Sequence, residues 1–191
     1  MLTVIYERSA CPMYGASLCY SLHKHISQYG CIPMQVFIMR HGQAEELAGR
    51  DKDRALTPDG RLESSLMARW LVEQGGHFQY ALVSPYLRAQ QTFSQVNAVL
   101  GIQRSDVEVL EELTPHGTPD AVADYLYALA DKGIDSLLIV SHMPLVSFLV
   151  EQLDCKHATP MFSPSSVARI DFDIESQYGH LLAVQDAVNM A

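Results

Sequence analysis

Cysteine is nearly absent from most of this chain. Of four cysteines in 191 residues, Cys11, Cys19 and Cys31 fall near the N-terminus and only Cys155 lies beyond them. A domain with a single cysteine cannot be a disulfide scaffold, and a reducing cytoplasm is the simple setting for it. Positive charge is also scarce. Lys and Arg total 13 against 22 Asp and Glu, a formal charge of −9. That balance argues against nucleic acid as a partner, which calls for a basic face. It also means that any site for an anionic group has to be positive locally. No apolar run approaches bilayer-spanning length, so no membrane partner is expected. Signal-peptide features are missing too: Glu7 and Arg8 interrupt the first apolar stretch, and His23, Lys24 and His25 follow the second. No repeat or low-complexity segment occurs, and no coiled coil or large apolar face points to an oligomer.

What is present is ordinary globular composition. The chain is 48% hydrophobic and 18% charged, which excludes a disordered chain and suits one domain with a sizeable core. Its character changes at Pro33-Met34. Residues 1–33 carry no sustained periodicity and are expected to be a poorly ordered extension, with a domain over 34–191. A rival reading of the first segment is a metal site from Cys11, Cys19, His23, His25 and Cys31, whose spacing matches no standard zinc pattern.

Beyond Met34 the signals are regular. Gln35 to Met39 reads as a buried strand running into a charged, glycine-containing turn. Thr57 and Pro58 are N-cap and first-turn residues of a helix. Leu62, Leu66, Ala68, Trp70 and Leu71 are expected on its apolar side, and Gly75-Gly76 ends it. Tyr80 to Val83 is a second strand ending at Ser84-Pro85, followed by a helix with Ala89, Phe93, Val96 and Leu100 at helical spacing. Thr118-Pro119 opens a third helix, stopped near Gly133. Ser136 to Val140 is the cleanest buried strand, ending at Ser141-His142. Pro144 starts a helix carrying Leu145, Phe148, Leu149 and Leu153. Val167 to Phe172 and Leu181 to Val184 read as late strands. Alternating strands and helices imply a layered α/β fold, in which sites form beyond the C-terminal ends of strands.

Three strands end in chemically capable residues. Arg40-His41-Gly42 combines an imidazole, a competent nucleophile toward phosphorus, with a guanidinium fork suited to phosphoryl oxygens. The glycine permits close backbone approach to an anion. Arg88 falls in the first turn of a predicted helix, where the dipole favours anions, so a cation there suggests an anion between the two. His142 stands at the end of the strongest core strand. Each has a plain structural alternative: a satisfied loop histidine, a solvent-facing arginine and a packed or capping histidine.

Taken together, Arg40-His41-Gly42, Leu56-Thr57-Pro58-Asp59-Gly60, Ser84-Pro85-x-x-Arg88-Ala89-x-x-Thr92 and Ser141-His142 resemble, in order, the motifs of the histidine phosphatase superfamily, from Met34 to about the C-terminus. The resemblance implies a three-layer α/β/α fold with a mostly parallel central sheet, phosphoglycerate-mutase-like. It implies that His41 is phosphorylated and that Arg40, Arg88 and His142 line the phosphate pocket. Met34 to Gly42, Leu82 to Ala89, Glu112 to Pro115, Ser141 to Val146 and Pro160 to Phe162 are similar to its short phosphohistidine phosphatases. Proteins of that type dephosphorylate the histidine phosphotransfer domain of a hybrid sensor kinase such as ArcB. No cofactor or metal is implied, since the two arginines take the part that Mg²⁺ plays elsewhere.

The leaving group bears on substrate class. An alkoxide leaves poorly and needs a general acid, for which Asp120 and Glu112 are candidates. Asp120 also reads as an ordinary acidic residue at a helix start. An imidazole, with a reference pKa of about 6.5, needs far less assistance. Two alternatives remain: a phosphatase of small esters, and a non-catalytic module that binds phosphorylated protein.

Overall fold

The strands of this protein are read best from their alternation. In the computed structural model, which describes residues 33–75 and 77–187, Met34–Arg40 (β1) sends Val36 and Ile38 to one face of the sheet. Phe37 and Met39 go to the other, and all four are buried. Ser136–Ser141 (β4) repeats the pattern with Leu137 and Ile139 against Leu138 and Val140. Apolar residues on both faces of a strand require helices above and below it. Those helices are Pro58–Glu73 (α1) and Leu87–Leu100 (α2), which pack on the Phe37 face, and Pro119–Asp131 (α3) and Leu145–Leu153 (α4), which pack on the Val36 face.

Six strands form one sheet in the order β3-β2-β4-β1-β5-β6. Tyr80–Val83 (β2), Val107–Val109 (β3), β4 and β1 are mutually parallel, and Val167–Asp173 (β5) and Tyr178–Gln185 (β6) close the sheet antiparallel. The expected three-layer architecture and mostly parallel sheet are therefore present. The register decides where the chemistry goes. Arg40 pairs with Ser141, and Val83 with Val140, so the residues that follow β1, β2 and β4 emerge together at one edge.

Two details, the exposure of Leu62 and the presence of β3, depart from the sequence expectations. Leu62 is 61% exposed, because α1 buries Gly60, Ser64, Met67, Ala68 and Leu71, a stripe shifted from the one expected. Phe148 is likewise exposed on α4, while Leu145, Leu149 and Leu153 are buried. Strand β3 was not expected at all. Its three residues, none of them fully buried, sit at the sheet edge and carry too little apolar pattern to announce a strand. The extension over residues 1–32, with the zinc candidates Cys11, Cys19, His23, His25 and Cys31, lies outside the described residues.

The entry to α1 is locked to the loop after β1. Thr57 Oγ1 accepts from the Gly60 amide at 3.0 Å, and the Thr57 amide donates to the Gln43 carbonyl at 3.0 Å. A Cβ on Gly60 would stand 2.1 Å from the Gln43 carbonyl oxygen, and one on Gly42 would stand 2.6 Å from the Gly60 carbonyl oxygen. Only backbone without side chains can cross this closely. Gly60→Ala is expected to destabilise the domain by about 1–3 kcal/mol through overpacking. Leu62→Ala, on the exposed side of the same helix, is expected to change it by less than about 0.5 kcal/mol. Urea denaturation of both variants checks the contrast.

Candidate active site

His41 leaves β1 with its backbone still held by the sheet, its amide donating to the Ser141 carbonyl at 2.9 Å and its carbonyl accepting from the Ser165 amide at 3.2 Å. Its side chain is nearly buried. Nδ1 lies 2.7 Å from the carbonyl oxygen of Gly42. A carbonyl can only accept, so Nδ1 carries the hydrogen, and Nε2 is left with its lone pair. That is the tautomer a nucleophile requires.

The second strand end supplies Arg88, which lies in the first turn of α2 and is buried, not solvent-facing. Its Nε donates to His41 Nε2 at 3.2 Å, and its guanidinium carbon sits 4.9 Å from the centre of the Tyr86 ring. Thr92, one turn on, accepts from the Gly42 amide at 2.9 Å and donates to the Arg88 carbonyl at 2.8 Å. One threonine thus couples the Gly42 loop to the helix that carries Arg88. The third strand end brings His142, whose ring centre lies 4.9 Å from that of His41. His142 Nε2 is 2.7 Å from Ser84 Oγ, while its Nδ1 is buried without a partner. Arg40 donates from Nη1 to the Phe162 carbonyl at 2.6 Å, and its Nε is also buried without a partner.

The four residues singled out from sequence, Arg40, His41, Arg88 and His142, are thus brought together. Two others were missed. Arg54 lines the open cleft of about 390 Å³ beside Arg40 and His41, and its charge is felt at the His41 imidazole. Asp51 binds both Arg54 and Arg88, at 3.2 Å and 3.0 Å. Both lie in the segment between His41 and Thr57, whose only regular structure is one 3-10 turn, Asp51–Asp53, and an isolated bridge between Ala44 and Leu56. Nothing in the spacing distinguished Arg54 from Arg50. Asp120 occupies the first turn of α3, as its helix-start reading had it. Neither Asp120 nor Glu112 lines the cleft, whereas Glu45 and Glu46 do, as exposed side chains.

Electrostatics follow from this packing. Burial, opposed in part by the Gly42 carbonyl and reinforced by the charges of Arg88, Arg40 and Arg54, takes the His41 pKa from 6.5 down to about 4. Burial and then the neighbouring His41, Arg88 and Arg40 push His142 down as well. On Asp51, burial raises the pKa but is outweighed by hydrogen bonds and charge from Arg88 and Arg54, so it stays a carboxylate. At neutral pH the pocket therefore holds a neutral nucleophilic imidazole among three cationic guanidinium groups. This local positive field stands within a chain of formal charge −9. Such an arrangement can bind a tetrahedral oxyanion and accept a phosphoryl group on nitrogen.

Fold and site thus define an α/β phosphatase with a histidine at its centre, and comparison with known proteins agrees. The sequence pattern of the histidine phosphatase superfamily (branch 1) matches residues 36–115. The chain is 47% identical over 140 residues to the phosphohistidine phosphatase SixA of Escherichia coli (strain K12), a match spanning 73% of this chain and 86% of that protein. It is 41% identical over 146 residues to the SixA homolog of Haemophilus influenzae, spanning 73% and 89% respectively. A solved structure of the protein histidine phosphatase SixA complexed with tungstate superposes with a TM-score of 0.79 at 44% identity, covering 83% of this chain and all of that one. The chain belongs to the histidine phosphatase superfamily. Within it, the relatives that resemble it strongly are the SixA proteins.

A titration tests the charge state of the site. With a folded pKa near 4 and an ordinary value of 6.5 when unfolded, the unfolded chain takes up the His41 proton first as pH falls. The contribution of His41 to stability is therefore complete above about pH 6.5 and is lost between there and about pH 4. Nitrogen-15 NMR of the imidazole is expected to place the His41 midpoint near pH 4, with Nδ1 protonated at neutral pH. A midpoint near 6.5 would contradict the described environment.

Proposed function

We infer that this protein is a phosphohistidine phosphatase that works through a phosphorylated His41. The observation that carries the reading is the His41 imidazole itself. Its Nδ1 is tied to the Gly42 carbonyl, and its Nε2 faces Arg88 in a pocket that also draws on Arg40 and Arg54. The 47% identity to a phosphohistidine phosphatase supports the substrate class.

In the proposed reaction His41 Nε2 attacks phosphorus in line, and the phosphorus–nitrogen bond to the substrate imidazole breaks. The departing imidazole takes up a proton. Arg40, Arg54, Arg88 and His142 face the equatorial oxygens, where positioning and fixed charge stabilise the transition state. Nδ1–H bonded to Gly42 keeps the ring oriented as charge develops on it. Water then attacks the phosphorylated His41, releasing inorganic phosphate and restoring the imidazole. An imidazole leaving group needs little help from an acid.

The phosphoryl donor proposed is a phosphorylated histidine phosphotransfer domain of an ArcB-type hybrid sensor kinase, met in the cytoplasm. A protein substrate suits the surroundings of the site. Leu47, Leu87 and Met161 are exposed apolar side chains adjacent in sequence to cleft residue Glu46, to Arg88 and to the Arg40 partner Phe162. Exposed apolar side chains around a charged site are what a macromolecular partner can cover.

Two comparisons test the reading. His41→Ala is expected to lower phosphate release from a phosphorylated histidine phosphotransfer domain by more than about a thousandfold, as loss of a covalent nucleophile does. Asp120→Asn should leave the rate within about twofold. The wild-type protein should turn over that domain far faster than a panel of phosphate esters. Rapid ester hydrolysis with an inert phosphohistidine domain would assign the protein to small-molecule chemistry instead.

A further inference from the structure

All three guanidinium nitrogens of Arg88 donate to groups of the chain itself. Its Nη1 donates to the Asp51 carbonyl at 2.7 Å and its Nη2 to Asp51 Oδ2 at 3.0 Å. Its Nε donates to His41 Nε2 at 3.2 Å. The other carboxylate oxygen of Asp51 accepts from Arg54 Nη1 at 3.2 Å. One carboxylate therefore bridges the guanidinium groups of Arg54 and Arg88, and Arg88 in turn directs its Nε–H at the lone pair of His41 Nε2. A cation in the first turn of a helix called for an anion beside it, and here the anion belongs to the chain.

We propose that Asp51 is an internal substitute for the phosphoryl group, held by Arg88 and Arg54 in the empty enzyme and displaced when a phosphoryl group enters. The proposal rests on the reading of those arginines as phosphoryl-binding groups. A phosphoryl group offers oxygen acceptors of the same kind as a carboxylate, so its oxygens can take over the Arg88 Nη2 and Arg54 Nη1 donors that Asp51 holds. The geometry favours exchange. The Asp51 side chain is 55% exposed while that of Arg88 is 4% exposed, so the carboxylate can withdraw into water and the arginine stays in place. Asp51 sits on a three-residue 3-10 turn that buries none of its residues, so little packing opposes the movement.

The consequence is a threshold on what may bind. Without Asp51, two facing guanidinium groups would repel each other and attract any small anion. With it, an incoming anion has to replace a carboxylate already in place. A dianionic phosphoryl group delivered with further contacts from a protein can do so, whereas free inorganic phosphate, the product, binds weakly and leaves readily. Asp51 is then a specificity-determining residue that favours protein-borne phosphoryl groups over free oxyanions.

The test is binding of inorganic phosphate, measured by calorimetry, to the wild-type protein, Asp51→Asn and Asp53→Asn. Asp53 lies on the same turn and bonds Arg50, so its variant makes the same change in net charge without touching Arg88. Asp51→Asn is expected to bind phosphate about three- to tenfold tighter than wild type, the range that losing two partly exposed ion pairs allows. Asp53→Asn should stay within about twofold. Equal or weaker binding by Asp51→Asn would overturn the proposal and make Asp51 a holder of Arg88. An equal gain in Asp53→Asn would overturn it in favour of general charge. Failure of all three proteins to bind phosphate, with Arg88→Ala no different, would refute the phosphoryl-binding reading of the arginines and this proposal with it.

Discussion

Arg40 stands opposite Ser141 in the parallel pairing of β1 with β4, and the site hangs on that register. A strand that slipped by one residue would send every side chain to the opposite face. His41 would then lose the Ser141 carbonyl, and His142 would no longer stand beside it. The register is fixed by burial on both faces. Val36, Ile38, Leu137 and Ile139 serve one core and Phe37, Met39, Leu138 and Val140 the other. Because all of these are withdrawn from water, the hydrophobic effect that holds the sheet together also sets the position of two imidazoles to within ångströms.

Around that frame the chemistry is one of charge placed where the rest of the protein opposes it. Burial first, and then the charges of Arg88, Arg40 and Arg54, push the proton affinity of the His41 imidazole down, so that nitrogen is available at neutral pH. The cost of gathering cations is lowered by partners on the chain: the Phe162 carbonyl for Arg40, the Glu45 carbonyl and Asp51 for Arg54, and Asp51 for Arg88. Thr92 and Ser84 carry less obvious duties, fixing the Gly42 loop and meeting Nε2 of His142. These interactions link local sequence to function through geometry. The same hydroxyls that satisfy these groups hold the Gly42 loop and the His142 ring in place.

How far the sequence announces this depends on what kind of signal each residue leaves. Buried strands ending in Arg-His-Gly and Ser-His are legible because apolar runs stop abruptly at polar residues, and the Thr57-Pro58 helix start is legible because capping is local chemistry. Arg54 and Asp51 are silent because their role arises from how an irregular segment folds back over α2, which no periodicity records. Leu62 reads as part of the apolar side of its helix because hydrophobicity alone does not fix the helix rotation. The small residues Gly60 and Ser64 are what allow α1 to approach the nucleophile loop closely, and they set that rotation. Strand β3 fails to announce itself for the opposite reason, being short and at an edge.

Passage of phosphate through Nε2 of His41 is the core of the proposed reaction. It is tested most directly by rapidly quenching the enzyme during turnover of a phosphorylated histidine phosphotransfer domain, at alkaline pH where phosphohistidine survives. The trapped protein is then examined by phosphorus-31 NMR and peptide mapping. The account predicts a single phosphorylated residue, His41, carrying the group on Nε2. Phosphate on Nδ1, on another residue, or turnover with no phosphorylated enzyme at any time would contradict it.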